Sequence, residues 1–417
     1  MIDALLERLL RRAFTPLVRR GQLEVVLPAG RVLRFGDGGE HPQARIRFAD
    51  RKALLALLRD PDLNFGEMFM QERLVVELGT VYDVLELVLR DARDAPVPLS
   101  VRLLDAWRMR LRSLLQNNLP MKSRANVAHH YDLDDSLYQL FLDPERQYSC
   151  AYFERGDETL EEAQQAKMRH ITAKLLVEPG QRVLDIGCGW GGLSRYLAEV
   201  AGAGHVTGIT LSPEQLGGAR ERAALSPRGE RLEYRLEDYR DTRGPFDRIV
   251  SVGMFEHVGR RFHDTFFRQC RKLLSEDGVM LLHFIGNSDV PDFNNPWIEK
   301  YIFPGGHIPS MSEFTPAIER AGLVICDVEV LRLHYAQTLR IWRERFLLHR
   351  AKAAQLYDER FCRMWEFYLS MSETAFRYQD IAVFQLQLAR RQDAVPLTRD
   401  YIAERRAALL RREQRLS

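Results

Sequence analysis

Cysteine is scarce in this chain, and its spacing excludes two common structural devices. The 5 cysteines lie at positions 150, 188, 270, 326 and 362, with no close pair and no C-x-x-C motif. Neither a disulfide framework nor a zinc site is therefore indicated, and we expect no bound metal. The same scarcity predicts a reducing compartment.

Long apolar runs and a strong excess of one charge are also absent. No stretch approaches the ~18 apolar residues that a membrane-spanning helix needs, so any attachment to a membrane should be peripheral. The 60 basic and 58 acidic residues nearly cancel, to a net charge of +2, which argues against a nucleic-acid partner. Residues 1–20 lack the uninterrupted apolar core of a secretory signal. We therefore predict a cytoplasmic protein associated peripherally with the inner membrane surface.

The most informative motif is RVLDIGCGWGG at residues 182–192, in which a buried strand ends in a carboxylate and a glycine turn. Gly187, Gly189 and Gly192 satisfy the dinucleotide pattern G-x-G-x-x-G, which alone is weak. A dinucleotide would place its pyrophosphate at the next helix N-terminus, where Asp185 would repel it. The acid expected about 20 residues later is missing from 202–212. S-adenosylmethionine, a cation without phosphate, fits better, and a purely structural turn stays open.

Apolar, β-branched segments alternate with helical patterns along the middle of the chain, which predicts a parallel sheet. The predicted strands are residues 183–186, 206–211, 232–236, 247–252 and 279–285. Ligands of such sheets bind beyond the carboxyl ends of the strands. Polar residues at those ends should therefore face one crevice, namely Asp185, Thr210, Gln215, Asp238, Tyr239 and Glu256.

Several longer segments point to one known family. They are YSCAYF at 148–153, LDIGCGWG at 184–191, FDRIVSVGMFEHVG at 246–259, KYIFPG at 300–305 and TLRIW at 338–342. On these segments the chain, from residue 129 to about 387, resembles the cyclopropane-fatty-acid-phospholipid synthase family, which includes the mycolic acid synthases. The resemblance implies an α/β, Rossmann-like sheet of the class I S-adenosylmethionine-dependent methyltransferases, with helical insertions and C-terminal helices.

The resemblance also implies a reaction and its partners. An unsaturated acyl chain of a phospholipid at the membrane surface attacks the sulfonium methyl through its cis double bond, leaving a carbocation. A bound bicarbonate ion then takes a proton and the ring closes. The matching motifs assign the bicarbonate ligands to Cys150, Glu256, His283, the backbone N–H of Ile285, and Tyr335. Histidine, tyrosine and the N–H donate to the anion while a carboxylate accepts its O–H, so the set is chemically coherent.

The same matching assigns the cofactor contacts. Tyr148, Ser149 and the turn of Gly187, Cys188 and Gly189 after Asp185 should contact the methionine end of S-adenosylmethionine. Thr210 and Gln215 should contact the ribose region, and Asp238 and Tyr239 the adenine. Without the resemblance, the buried cysteine and the strand histidine would each pass for core residues. Tyr335 would not be chosen from the 14 tyrosines.

The chain departs from the family pattern in two places. Many members carry a late cysteine where this chain has Ser372, and a Gly-Asn pair where it has Asp134 and Asp135. Direct attack of the alkene on the methyl donor needs no covalent enzyme intermediate, so we expect the serine to be tolerated. The acidic pair should alter only a loop.

Two domains are predicted, residues 1–125 and 126–417. The first should be a small α+β unit with a hairpin of strands 22–27 and 31–35, further strands at 44–48 and 74–78, and helices at 50–58 and 81–89. It resembles the N-terminal domain of many bacterial members. The second should be the catalytic domain with the acyl-chain pocket, and its residues 340–417 are expected to be helical.

Three questions stay open at this point. The arginine-rich amphipathic stretches 5–20 and 101–112 suit either an anionic lipid surface or a solvated helix with a packed inner face. The carbocation could be quenched to a methyl-branched chain, or the protein could bind lipid without catalysis. A homodimer is one option for the oligomeric state.

Overall fold

The computed structural model describes residues 2–39, 42–95, 99–115 and 135–416. The chain groups into two compact units, neither contiguous in sequence. The first comprises Met1–Arg112, Phe293–Pro304 and Leu339–Asp380, and the second comprises Ser113–Asp292, Gly305–Thr338 and Ile381–Ser417. Division of the chain at residue 125 stays a prediction, and the structure adds that two later segments group with the N-terminal residues.

The first unit contains a four-stranded sheet in the order β2-β1-β3-β4. Its strands are β1 (Gln22–Val26), β2 (Val32–Gly36), β3 (Gln43–Phe48) and β4 (Leu74–Leu78). β1 and β2 form the predicted antiparallel hairpin, and β3 lies parallel to β1. Each strand agrees with its predicted range to within one residue.

Helices make up most of the rest of the unit. They are Ile2–Leu17, Arg51–Arg59, Pro61–Met70, Val81–Leu89, Leu99–Leu115, Pro296–Tyr301, Arg350–Leu356, Glu359–Tyr378 and most of His334–Leu348. The first of them buries Leu6, Leu10 and Phe14. The apolar face of the stretch 5–20 is thus largely packed inside the protein, although Leu5 and Leu9 remain exposed.

The second unit is built on a seven-stranded sheet in the order β10-β11-β9-β8-β5-β6-β7. Its strands are β5 (Arg182–Ile186), β6 (His205–Thr210), β7 (Leu232–Leu236), β8 (Phe246–Val252), β9 (Leu274–Asn287), β10 (Val324–Leu331) and β11 (Ile381–Ala389). The five predicted strands are β5 to β9, and they pair in parallel. β11 runs antiparallel between β9 and β10.

Helices lie on both faces of the large sheet. They are Asp135–Tyr138, Leu160–Leu175, Gly192–Glu199, Pro213–Ala224, His263–Leu273, Met311–Ala321 and Asp400–Leu416. Successive strand residues alternate between two apolar clusters, with Leu184 and Ile249 in one and Val183 and Val250 in the other. This alternation is how a strand fills the cores on both faces of a sheet.

The expectation that residues 340–417 are helical is wrong at β11. All its residues but the first are buried, including Gln385 and Gln387. A strand buried on both faces lacks the apolar and polar alternation that marks a half-exposed strand, and periodicity alone does not separate it from a buried helix. β10, which precedes these helices, was likewise not predicted.

No helix among the described residues combines the length and the apolarity that crossing a bilayer requires.

Candidate active site

The glycine turn after β5 is fixed by backbone contacts to β6. The N–H groups of Gly187 and Cys188 both donate to the carbonyl of Ile209, at 2.9 and 3.1 Å. Gly187 and Gly191 have φ of +82° and +80°, the left-handed region that favours glycine. A Cβ on Gly191 would lie 2.5 Å from the hydroxyl of Tyr234. The turn therefore requires glycine for its conformation and, at position 191, also for space.

One crevice opens at the carboxyl ends of β5, β6 and β8, next to this turn. Every residue assigned to the cofactor lines it: Tyr148, Ser149, Asp185, Gly187, Cys188, Gly189, Thr210, Gln215, Asp238 and Tyr239. Sequence reasoning gave no role to Trp190 and Met254, which also line the crevice. His257, which the position just beyond the fourth strand favours as functional, lines it too. The rule that ligands meet the carboxyl ends of parallel strands accounts for the residues from Asp185 to Tyr239. It does not account for Tyr148 and Ser149, which precede the sheet in the chain, and Glu256, which it also predicts here, is not among the lining residues.

Asp185 supplies a buried negative charge to the crevice. Its carboxylate accepts a 2.6 Å hydrogen bond from the Ser194 hydroxyl, at the start of the next helix. Burial raises the pKa of Asp185 to about 6, so the group is ionised at neutral pH. A buried carboxylate favours a cationic ligand and disfavours a phosphate at this position.

The polar residues at the end of β6 and just after it hydrogen-bond with each other, and so do those that follow β7. Thr210 donates to the amide oxygen of Gln215 at 3.0 Å, which leaves the amide NH₂ as the donor end of that side chain. Asp238 accepts two hydrogen bonds from the Arg240 guanidinium, one of them 2.8 Å long. That guanidinium lies over the Tyr239 ring, 5.5 Å from its centroid.

Glu256 lies in the single turn Phe255–His257 that follows β8. Its Oε1 accepts a 2.7 Å hydrogen bond from the backbone N–H of Ile285 on β9. Its Oε2 is buried and has no hydrogen-bond partner in the described part of the chain. Burial raises the pKa of Glu256 to about 7. The Ile285 N–H, which the resemblance assigns to an anion, thus donates to the glutamate.

His283 precedes that N–H by two residues, and residues two apart on a strand share a face. Its Nδ1 lies 3.2 Å from the Gln385 amide nitrogen, and its Nε2 is buried without a partner among the described residues. Burial lowers the pKa of His283 well below its usual value, so the ring is neutral at pH 7. A neutral histidine on β9 and a carboxylate just beyond the adjacent strand β8 therefore belong to the same part of the sheet.

Thr338 connects the segment that carries Cys150 to the helix that carries Tyr335. The Ala151 N–H donates to the Thr338 hydroxyl at 3.1 Å, and Tyr335 precedes that threonine by three residues on one helix. The thiol is buried and donates to the Ala151 carbonyl at 3.2 Å. Burial raises the pKa of the Cys150 thiol, which keeps it a neutral donor. The threonine could not be identified from the sequence, because its contact with Ala151 spans 187 residues.

Sequence reasoning also missed a row of buried polar residues on the helix Leu160–Leu175, comprising Gln164, Lys167, His170 and Lys174. Lys167 donates to the Ser149 hydroxyl at 2.8 Å, and burial lowers its pKa to about 8. Its charge influences both Cys150 and His283. The spacing of three to four residues between these polar side chains, which places them on one face of the helix, was the available signal.

Comparison with known proteins bears on this geometry. The sequence profile described as "Mycolic acid cyclopropane synthetase" matches residues 119–386. The chain belongs to this family. It is an S-adenosylmethionine-dependent methyltransferase of the cyclopropane synthase type, with the class I fold predicted above.

Two curated relatives differ in how much of the chain they match. The cyclopropane-fatty-acyl-phospholipid synthase of Escherichia coli (strain K12) is 45% identical over 275 residues, which cover 66% of this chain and 70% of that protein. The tuberculostearic acid methyltransferase UfaA1 of Mycobacterium tuberculosis (strain ATCC 25618 / H37Rv) is 36% identical over 403 residues, 93% of this chain and 91% of that protein. The family thus includes a relative that extends through the first unit.

A solved structure supports the cofactor. Mycolic acid cyclopropane synthase CmaA1, complexed with SAH and CTAB, superposes with a TM-score of 0.60 and 36% identity, covering 64% of this chain and 97% of that one. The crevice described here suits S-adenosylmethionine because Asp185 offers a buried carboxylate and the glycine turn lets the backbone approach closely. Within the described ranges no cluster of His, Cys, Asp and Glu could hold a metal ion.

Proposed function

We propose that this chain is a cyclopropane-fatty-acyl-phospholipid synthase that transfers a methylene to the cis double bond of unsaturated phospholipid acyl chains, with bound bicarbonate as the base. One observation carries the proposal. Glu256 Oε2 and His283 Nε2 are buried polar atoms with no partner within the described residues. Such groups are costly to bury alone. One is an acceptor and the other a donor, which is the complement that bicarbonate requires.

The chemistry sets what the pocket must do. The π electrons of the alkene form a carbon–carbon bond to the sulfonium methyl as the carbon–sulfur bond breaks, and the new methyl then loses a proton as the ring closes. The sulfonium cofactor supplies the methyl, and bicarbonate accepts the proton. The protein has to align the alkene and exclude nucleophiles that would trap the cation.

The residues of this chain fit those tasks. The glutamate, held by the Ile285 N–H at 2.7 Å, accepts from the anion's O–H and fixes its orientation without acting as the base. Neutral His283 donates from Nε2. The buried thiol of Cys150 and the hydroxyl of Tyr335 add neutral donors that do not compete as nucleophiles. Lys167 supplies positive charge near two of these ligands.

Product analysis tests the proposal. The chain is expressed in a bacterial host that lacks cyclopropane synthase, and fatty acid methyl esters from its phospholipids are analysed by gas chromatography with mass detection and by proton NMR. We expect unsaturated chains to gain the mass of one methylene and to show upfield ring protons. A host lipid profile unchanged by active, folded protein would contradict the proposal.

A methyl-branched product is the second candidate function. It is favoured by the relative named as a tuberculostearic acid methyltransferase, which matches 93% of the chain. The same extract distinguishes the two, because a branched chain has a methyl doublet and no ring protons. That result would assign the enzyme to the branching reaction and refute ring closure.

We also propose that the exposed part of the helix Leu99–Leu115 contacts the membrane that holds the substrate. Leu103 and Trp107 are 64% and 60% exposed, one turn apart on this helix. The exposed Arg102 and Arg110 flank them. An amphipathic helix of this kind buries its apolar residues in the lipid interface while its arginines meet anionic headgroups.

A further inference from the structure

We propose that Gln385 is a positioning residue that keeps the proton of His283 on Nε2, and that Lys174 orients Gln385 for this purpose. The inference rests on the proposed role of His283 as a donor to bicarbonate, which it deepens. It concerns three buried side chains joined by hydrogen bonds: Lys174 on the helix Leu160–Leu175, Gln385 on β11 and His283 on β9.

The first of the three side chains is the buried ammonium group of Lys174. Lys174 lies between two carboxylates, 3.0 Å from Glu329 Oε2 and 3.4 Å from Asp327 Oδ2. Its side chain is fully buried, and its third contact is the Gln385 amide oxygen at 3.2 Å. An ammonium can donate but cannot accept. The oxygen of the Gln385 amide therefore faces Lys174, because only the oxygen can accept from the ammonium.

The orientation of the amide decides the tautomer of the histidine. With its oxygen on Lys174, Gln385 presents its NH₂ to His283 Nδ1, 3.2 Å away. Nδ1 can accept this hydrogen bond only if it carries no proton. Because burial keeps the ring neutral, the single proton belongs on Nε2. His283 therefore offers a donor to its surroundings and cannot act as a base through that nitrogen.

The register of the sheet makes this contact a consequence of the fold. Gln385 and His283 are direct partners across the antiparallel pair β11 and β9. Side chains directly opposite each other project on the same face at contact distance. The tautomer is thus set by strand pairing and one buried cation.

Nuclear magnetic resonance measures the tautomer without reference to activity. Full-length protein is labelled with ¹⁵N-histidine, and the His283 signals are assigned by their loss in a His283→Gln variant. We expect Nδ1 to be unprotonated and Nε2 protonated in the wild type. In Gln385→Glu, a carboxylate faces Nδ1, and we expect that nitrogen to gain a proton. A wild-type ring protonated at Nδ1, or a Gln385→Glu spectrum identical to wild type, would overturn the proposal.

Kinetics test whether the tautomer matters to the reaction. Gln385→Leu removes the amide at similar volume, and we expect the KM for bicarbonate to rise about 10-fold, as for a lost charge-assisted contact. The Kd of S-adenosylmethionine, measured by calorimetry, should stay unchanged. Gln387→Leu is the matched control, since Gln387 is an equally buried glutamine on β11 that contacts the Lys174 carbonyl and Tyr401 but not His283. It should retain the wild-type KM for bicarbonate, and a rise equal to that of Gln385→Leu would overturn the proposal.

The two readouts separate two kinds of failure. Wild-type turnover that is indifferent to bicarbonate would refute the proposed base while leaving the NMR result intact. Bicarbonate-dependent turnover with the wrong tautomer would refute the role of Gln385 alone.

Discussion

Glu256 accepts a hydrogen bond from the backbone N–H of Ile285 through one carboxylate oxygen, while its other oxygen lies buried without a partner among the described residues. Because one oxygen is fixed by the main chain of β9, the other has a defined direction. Replacing the side chain therefore removes an oriented acceptor as well as a charge.

Glu256→Ala should lower turnover at least ~100-fold, the loss typical of a group that orients a reacting partner by hydrogen bonding. The measurement is conversion of S-adenosylmethionine to S-adenosylhomocysteine in the presence of unsaturated phospholipid vesicles. Calorimetric titration with the cofactor is the control and should give the wild-type Kd. Wild-type turnover in this variant would remove the glutamate from the mechanism.

The raised pKa of Glu256 predicts a pH-dependent stability. The pKa is about 7 in the folded protein and 4.5 when unperturbed, so between these values the folded state holds a proton that the unfolded state has lost. Relative to Glu256→Gln, the wild type should lose about 3 kcal/mol of unfolding free energy as pH rises from 4.5 to 7, with no further change above that range. Urea denaturation of both proteins across pH 4 to 8 measures the difference; a pH-independent difference would contradict the buried, raised carboxyl.

Lys167→Met should weaken cofactor binding. Lys167 donates to the hydroxyl of Ser149, which lines the cofactor crevice, so its loss frees that side chain and removes a buried charge. We expect the Kd of S-adenosylmethionine to rise about 10-fold, the scale of one hydrogen bond to a charged group. Lys272→Met, at an exposed position of the same unit, should bind as the wild type does. Equal affinities in the two variants would exclude the lysine from the cofactor site.

Gly191→Ala should destabilise the protein through both backbone strain and a clash. Gly191 has a φ of +80°, and an added Cβ would lie 2.5 Å from the Tyr234 hydroxyl. Gly180→Ala is the control for backbone strain without a clash, since Gly180 has a φ of +86° and no atom lies within 4 Å of the added Cβ. We expect a loss of about 1 kcal/mol for the control and at least ~2 kcal/mol for Gly191→Ala, by urea denaturation. Similar losses would show that the tyrosine moves away at no cost.

The double variant Leu103→Ser/Trp107→Ser should release the protein from vesicles. Losing two large apolar side chains from a lipid interface should lower partitioning at least ~10-fold. The assay is flotation with vesicles containing anionic phosphatidylglycerol. Leu348→Ser/Leu397→Ser replaces two leucines that are 81% and 105% exposed elsewhere and should float as the wild type does. If both double variants behave alike, the helix Leu99–Leu115 is not the contact.

The parts of the fold that the sequence predicts are those with a local signal. β7 is observed at its predicted bounds, Leu232–Leu236, where apolar and polar residues alternate with the period of a strand. β9 begins at Leu274, whereas the predicted strand begins at residue 279. The prediction starts late because the polar stretch that follows Leu274 has no pattern typical of a strand. β11 was missed because its polar residues are buried.

The residues of the site also divide into those with a local signal in the sequence and those without one. Most residues assigned to the cofactor gather in one crevice because they lie at or just after strand ends, a rule that needs only the order of strands. Tyr148 and Ser149 precede the first strand of this sheet, and only the resemblance predicts them. Lys167 and Gln385 could not be predicted because each contacts a residue that is distant in the sequence, Ser149 and His283 respectively. The contact between Gln385 and His283 spans 102 residues, and nothing in local periodicity encodes it.

The position of β11 in the chain also has a consequence for biosynthesis. It is the last of the described strands to leave the ribosome, yet it inserts between two strands made earlier. A nascent chain can pair β5 to β9 and still leave β10 and one edge of β9 without a neighbouring strand, because β11 pairs with both. Catalytic competence should therefore appear late in translation and abruptly, when a single strand docks.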